Sequence, residues 1–382
     1  MTQTSALPTS DDARSAPRIE RIDTYNLRVP LRRQIADALY VRTHWNIPVV
    51  EIRTSEGLVG TGYSGIWQGE DLILDSIDRH LAPLLLGQDP RRIGELWDAL
   101  YWSPLHWVGR AGVTHIGLGM LDIALWDLAA RRAEQPLWML LGGRHARVDT
   151  YNTDGGWLNF TVDELVADMS AMVEQGWDAV KMKVGGPDPR EDIARVRQVR
   201  DALPSRVGLM VDVNQKWDLF TASACAQQFA ELRIGWMEEP LHPDDVVGHA
   251  ALCKRSPVPV ALGENVYGAE AFSSFLGADA VDIVQVDVTR VGGISEWLRI
   301  AGAAHAASRP VRPHAGDMMQ LHQHLVAATS NDLQPTIEYL PWGLEVFEEP
   351  VQLHGSTVIL PTTPGASSAV AASARRRWEQ SS

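Results

Sequence analysis

The sequence is short of three things. Only two cysteines, Cys225 and Cys253, occur in 382 residues, far apart and without a CxxC spacing. That excludes a disulfide framework or a cysteine zinc cluster and leaves both as buried, reduced, structural thiols. Basic residues are few: 34 Lys plus Arg stand against 48 Asp plus Glu, a formal charge of −14. Nucleic acid, whose binding needs a basic face to displace counterions, is therefore not an expected partner. Unbroken apolar runs are missing too. The longest, HIGLGMLDIALWDLAA, is interrupted by Asp122 and Asp127, short of the roughly 18 apolar residues of a membrane span. Residues 1–17, rich in Ser, Thr, Pro and Asp, have neither a signal-peptide core nor apolar periodicity and are expected to be a disordered tail. The default expectation is a cytoplasmic protein with no nucleic-acid or membrane partner.

What is present is 45% apolar residues and a length that suits about two domains. From Ile19 to Tyr63 the short β-branched runs RIDTYNLRV, IPVVEIRTS and VGTGYS predict three antiparallel strands. The polar stretch from Leu31 to Asn46 between the first two reads as a loop and candidate lid. Helical spacing follows from Asp71 to Leu141. After Gly143 the texture changes to short apolar runs that alternate with helical segments. Lys183, Asp212, Glu238, Glu264, Asp287, His314 and Glu338 end these runs at steps of 29, 26, 26, 23, 27 and 24 residues. Each alone would pass for a helix cap or a surface loop. A near-constant step of one strand and one helix predicts a parallel sheet, and with VDTYNTDGG the series makes eight strands. The fold class is α/β, a modified TIM-like (β/α) barrel, which gathers residues at the carboxyl ends of its strands around one pocket.

Asp212, Glu238 and Glu264 end three consecutive strands and can converge on one hard cation, Mg²⁺ or Mn²⁺. Asn214, two residues past Asp212, can face the same side. Lys181 and Lys183 are two apart on a strand, so both point inward, where repulsion and burial would lower their pKa values and make a base. Asp287 beside His314 fixes an imidazole tautomer and makes a second acid or base. Glu338, crowded by carboxylates, is expected to stay protonated and donate to an oxyanion.

The motifs LDIALWDLAARRAEQPLWMLLGG, VKMKVGG, VDVNQKWD, MEEP, ALGEN, VQVDVTRVGG, RPHAG and TIEYLPW together resemble the enolase superfamily, and within it the mandelate racemase-like subgroup, acid-sugar dehydratases most of all. The resemblance implies an N-terminal α+β capping domain at 18–143, a catalytic barrel at 144–345 and a segment at 346–382 returning to the cap. It implies Mg²⁺ on Asp212, Glu238 and Glu264, Lys183 as one acid/base and the His314–Asp287 dyad as the other, with Lys181 auxiliary and Glu338 at the enolic oxygen. It also implies a homo-oligomer. The shared step is removal of the proton α to a carboxylate. The polar lid VRTHWN, from which His44 and Trp45 are expected to reach the substrate, favours dehydration of an acid sugar to a 2-keto-3-deoxy acid. A racemase, epimerase or cycloisomerase would use the same residues, and a non-catalytic homologue would keep the barrel without needing them.

Overall fold

The computed structural model describes residues 16–315 and 318–380; apart from Ala16 and Pro17, the tail expected at 1–17 lies outside the described residues. Three strands, β1 (Ile19–Ala36), β2 (Val41–Thr54) and β3 (Val59–Tyr63), form an antiparallel sheet in that order. Residues 31–46 correct the expectation of a loop, since most of them prolong β1 and β2 into a hairpin. Its turn is held by Asp37, whose Oδ1 accepts from the Leu39 and Tyr40 amides. Register slips between the pairs Pro30–His44 and Ile35–Arg42, leaving residues 31–34 opposite Thr43 alone. This bulge is the source of the irregular polar pattern.

Helices α1 (Glu70–Ser76), α2 (Ile93–Tyr101) and α3 (Val113–Arg132) complete the cap. Strand β3 lies so close to α3 that a Cβ on Gly62 would sit 1.8 Å from the Met120 carbonyl oxygen. Helix α3 is the one described helix long and apolar enough to cross a bilayer, but 78% of its apolar window is buried inside the protein. Its two aspartates join the parts of the fold. Asp127 accepts from the amides of Thr61 and Ala366, and Asp122 from the amide and hydroxyl of Ser295.

The second sheet is parallel in the order β4 (Asp149–Asn152), β5 (Ala179–Lys183), β6 (Gly208–Asp212), β7 (Ile234–Glu238), β8 (Val260–Leu262) and β9 (Ile283–Val284). Val311 adds a single parallel bridge to Val284, and β10 (Thr336–Tyr339) pairs back with β4. These are the eight positions of the barrel, the seventh reduced to one bridge. The intervening helices are α4 (Val162–Glu174), α5 (Pro189–Ala202), α6 (Leu219–Glu231), α7 (Val246–Cys253), α8 (Ala269–Gly277), α9 (Ile294–Ala306) and α10 (Met319–Thr329). Thr161 and Glu164 form a capping box on α4, and Asp188, Asp218 and Asp245 cap α5, α6 and α7, satisfying amides that have no partner within the helix.

Alternation along the strands sorts the barrel. Val180 and Met182 point outward into the helical layer, whereas Lys181 and Lys183 point inward. Met210, two residues before Asp212, and Trp236, two before Glu238, join Tyr151, Ala261 and Ile283 in an apolar floor. The charged layer stands on that floor. Beyond β10, hairpin β11 (Gln352–His354) and β12 (Thr357–Ile359) pairs with β4. The chain then crosses the cap, with Gly365 accepting from the Leu137 amide at 2.8 Å and Ser368 donating to Thr61, before α11 (Ala372–Trp378) ends it.

Candidate active site

Register builds one half of the rim. Cα partners Lys183–Asp212 and Asp212–Glu238 run across β5, β6 and β7, so four inward charges, Lys181, Lys183, Asp212 and Glu238, gather within side-chain reach. Lys183 Nζ donates to Asp212 at 2.5 Å. Lys181 donates to both Glu238 oxygens at 2.7 and 2.8 Å and lies 2.9 Å from Glu338. Burial pushes both lysine pKa values down, but Glu238 and Glu338 outweigh it at Lys181 and Asp212 outweighs it at Lys183, so both are raised. This reverses the expected lowering: each ammonium meets a carboxylate more closely than it meets the other ammonium.

Glu338 also departs from expectation. It accepts from Thr153 Oγ1 at 2.6 Å and from the Ala315 amide at 2.9 Å. Although burial works the other way, Lys181 and His314 bring its pKa down. Surrounded by donors, Glu338 is an ionised acceptor rather than a protonated donor.

The other half rests on loops. His314 Nδ1 meets Asp287 Oδ2 at 3.0 Å and His314 Nε2 meets Glu264 Oε2 at 3.0 Å. Burial opposes its charge, but the two carboxylates, Glu264 foremost, push the imidazole up to about 10. Arg290 donates to the Glu264 carbonyl and to Asn265 Oδ1 and approaches Glu264 and Asp287 side chains at 3.5 and 3.9 Å. Glu239 turns from the rim to accept from Gln215 and Asn265.

Both halves face one small cavity of about 40 Å³, whose wall includes Lys183, Asn214, Glu264, His314 and Glu338, with Lys181, Asp212 and Glu238 buried beneath. The hairpin closes it with Trp45 and Arg42. Trp45 Nε1, Asn214 Oδ1 and Arg42 Nε are buried there without a partner. His44 is a correction: it turns outward against Arg28, and across the register slip between the two residues Arg42 lines the cavity instead, paired to Asp37 at 2.6 Å and lying over the Trp67 ring. Arg42 and Arg290 were missed by the sequence reading; the signals present were an arginine inside VRTHWN and one three residues after Asp287. A wider cleft of about 520 Å³ beside Arg32 and Trp378 shares Trp342 with this cavity but contains neither lysine nor His314.

The mandelate racemase/muconate lactonizing enzyme N-terminal domain matches residues 22–142, and the enolase C-terminal domain-like family matches residues 164–374. The chain belongs to the mandelate racemase branch of the enolase superfamily. It is 34% identical to L-talarate/galactarate dehydratase of Salmonella typhimurium over 100% of this chain and 96% of that protein. It is 32% identical to arabinonate dehydratase of Saccharolobus solfataricus, covering 91% and 95%. A crystal structure of the Salmonella dehydratase superposes with a TM-score of 0.92 at 34% identity, covering 100% and 96%. That of L-talarate dehydratase from Polaromonas sp. JS666, complexed with Mg and L-glucarate, gives 0.89 at 36% identity, covering 96% and 98%.

The donor set of this mandelate racemase-like chain fits a hard divalent cation. Among the described residues no three His, Cys, Asp or Glu side chains are already arranged around one centre; Asp212, Glu238 and Glu264 are each turned to a cationic neighbour. The charge balance supplies the fit. Five rim carboxylates, Asp212, Glu238, Glu264, Asp287 and Glu338, with Glu239 buried behind them, stand against four cationic groups, Lys181, Lys183, Arg290 and His314. With Glu239 counted, the excess is two negative charges. Burial, followed by repulsion from Asp212, pushes Glu238 upward, and burial with Glu264 does the same to Glu239. An all-oxygen site with that excess suits Mg²⁺.

Proposed function

We propose that this chain is a Mg²⁺-dependent acid-sugar dehydratase that converts an aldonic or aldaric acid to its 2-keto-3-deoxy product. The observation that carries the reading is a pair of chemically different acid/base groups, Lys183 and Asp-backed His314, three positions apart around one eight-membered rim and lining one cavity. Asp212, Glu238 and Glu264 would hold the cation, which when bound supplies positive charge for the enediolate. With Asp212 committed to the cation, Lys183 would lose the carboxylate that holds it charged and, standing beside the carbon α to the carboxylate, would take or return its proton. His314, held as the protonated tautomer by Asp287, gives a proton to the β-hydroxyl, which leaves as water. Cα–H and Cβ–O break, a Cα–Cβ double bond forms, and the enol tautomerises to the ketone. Lys181 is positioned to orient the carboxylate end, and Glu338, as an ionised acceptor, holds the Lys181 ammonium in place. Arg42 and Trp45, with donors left unpaired inside the cavity, would meet the distal hydroxyls or second carboxylate.

The names of the Salmonella and Saccharolobus relatives support this reading. A second one has its own support: a relative 32% identical over 91% of this chain is the 3,6-anhydro-alpha-L-galactonate cycloisomerase of Streptomyces coelicolor. A library of mono- and diacid sugars with Mg²⁺, read by semicarbazide trapping and polarimetry in parallel, separates them. Keto-acid formation supports dehydration. Optical change without a keto acid transfers the proposal to an epimerase or cycloisomerase, and no reaction with any member removes it. The reading includes a homo-oligomer, supported by Trp102, Trp107 and Val108, which are 68%, 93% and 79% exposed on one short segment of the cap; light scattering of wild type and Trp107→Arg tests it.

A further inference from the structure

We infer that Ser64 and Thr289 are positioning residues that tie the orientation of the His314–Asp287 dyad to the seating of the capping domain. The inference rests on the proposed acid/base role of His314 but on different residues. Asp287, once ionised, can only accept hydrogen bonds. Its Oδ2 takes the His314 Nδ1 proton, and its Oδ1 takes the Thr289 hydroxyl at 2.9 Å and the Thr289 amide at 3.0 Å. With its proton committed, Thr289 Oγ1 is left as an acceptor, and Ser64 Oγ donates to it at 3.2 Å. Every hydroxyl in the chain therefore points one way, from the cap into the dyad, and such chains polarise cooperatively in a dry interior. Ser64, Thr289 and Asp287 are 1%, 1% and 3% exposed.

Ser64 follows β3, so it belongs to the cap, whereas Thr289 belongs to the loop after β9. The rest of that loop is gripped by the cap as well. A Cβ on Gly119 of α3 would lie 2.5 Å from the Thr289 carbonyl oxygen, and Trp97 of α2 donates to the Gly292 carbonyl at 2.9 Å. The two-residue strand β9 cannot fix Asp287 by itself. The cap does it through Ser64 and Thr289, so a displaced cap would release the histidine's partner as well as open the cavity.

The test is a double-mutant cycle with Mg²⁺-loaded full-length protein, read in two ways. The first is turnover on whichever acid sugar the screen identifies. Ser64→Ala should lower kcat by about 10-fold with KM nearly unchanged, as removal of groups that orient active-site residues generally does. Thr289→Val should do at least as much, and Thr289→Ser should restore most of it. In the Thr289→Val background Ser64→Ala should have no further effect on kcat. The second reading needs no substrate: the downfield proton resonance of the His314 Nδ1 hydrogen bond, at one fixed pH, should move in Ser64→Ala and Thr289→Val but not in Thr221→Ala, a change at a distant helix cap. Additive effects on kcat, or an unmoved resonance in Ser64→Ala with lowered thermal stability alone, overturn the inference. If no acid sugar reacts while the resonance moves as expected, the dehydratase reading fails and the positioning role stands.

Discussion

The lysine half and the histidine half of the rim do comparable work with different scaffolding. Lys181, Lys183, Asp212 and Glu238 lie on three adjacent five-residue strands whose carboxyl ends are paired in register, so the sheet's own backbone pairing sets their spacing. Asp287 and His314 come from a two-residue strand and a single bridge. Their alignment depends on side chains: Thr289 and Arg290 of the loop after β9, and His322 of α10, whose Nε2 accepts from the Val288 amide at 3.3 Å. A residue placed by a strand tolerates loss of its neighbours better than one placed by a loop. The loop-borne half is the one that the cap, the pH and distant substitutions can reach.

The comparison breaks most visibly when either acid/base group is removed. Lys183→Ala and His314→Asn should each lower kcat by about 10²- to 10⁴-fold, but on different steps. Proton NMR in D₂O with the identified acid sugar should find α-proton exchange surviving in His314→Asn and absent in Lys183→Ala. Exchange lost equally in both would place a single base at the centre and end the division.

Metal removal should act on both halves at once. Asp212→Asn or Glu264→Gln, near-isosteres that delete one charge from the donor set, should abolish measurable Mg²⁺ binding by calorimetry with the fold intact by circular dichroism. EDTA should stop turnover and added Mg²⁺ restore it. Full turnover in excess chelator would remove the metal assignment.

Smaller effects separate residues on the lid hairpin. Arg42→Gln should raise KM by about 10-fold, the scale of one charge-assisted hydrogen bond, whereas His44→Ala on the outer face should leave kcat/KM within about twofold. Equal effects would mean that the hairpin turns over when substrate binds.

The gentlest probe is acid. Burial brings the pKa of His322 down to about 4 and that of His324 to about 3, below the roughly 6.5 of an unfolded chain. A depressed folded pKa means the unfolded state binds more protons below about pH 6.5, so stability present at neutral pH is lost as pH falls through the folded values. Both histidines lie on α10, and His322 supports the loop of Asp287. Hydrogen exchange at pH 5 compared with pH 7 should therefore show protection lost around 287–293 before 181–184. The reverse order would contradict the picture of a loop-held histidine half.

Much of this molecule was legible from its sequence because period-two alternation and a regular 23–29-residue step are local properties of strands and of the units that repeat them. Those properties brought Lys181, Lys183, Asp212 and Glu238 to one wall without knowledge of any contact. They also gave the parallel sheet and the three-stranded cap. Other features depend on partners far away in the chain. The ionised state of Glu338 follows from Thr153, Lys181 and the Ala315 amide, and the raised pKa values of the lysines from carboxylates on three other strands. Arg42 replaces His44 in the cavity because a bulge of four residues shifts the hairpin register. The aspartates that interrupt α3 turn out to bind its neighbours on two sides. Charge state and hydrogen-bond direction depend on the whole local field, and only the tertiary structure assembles that field.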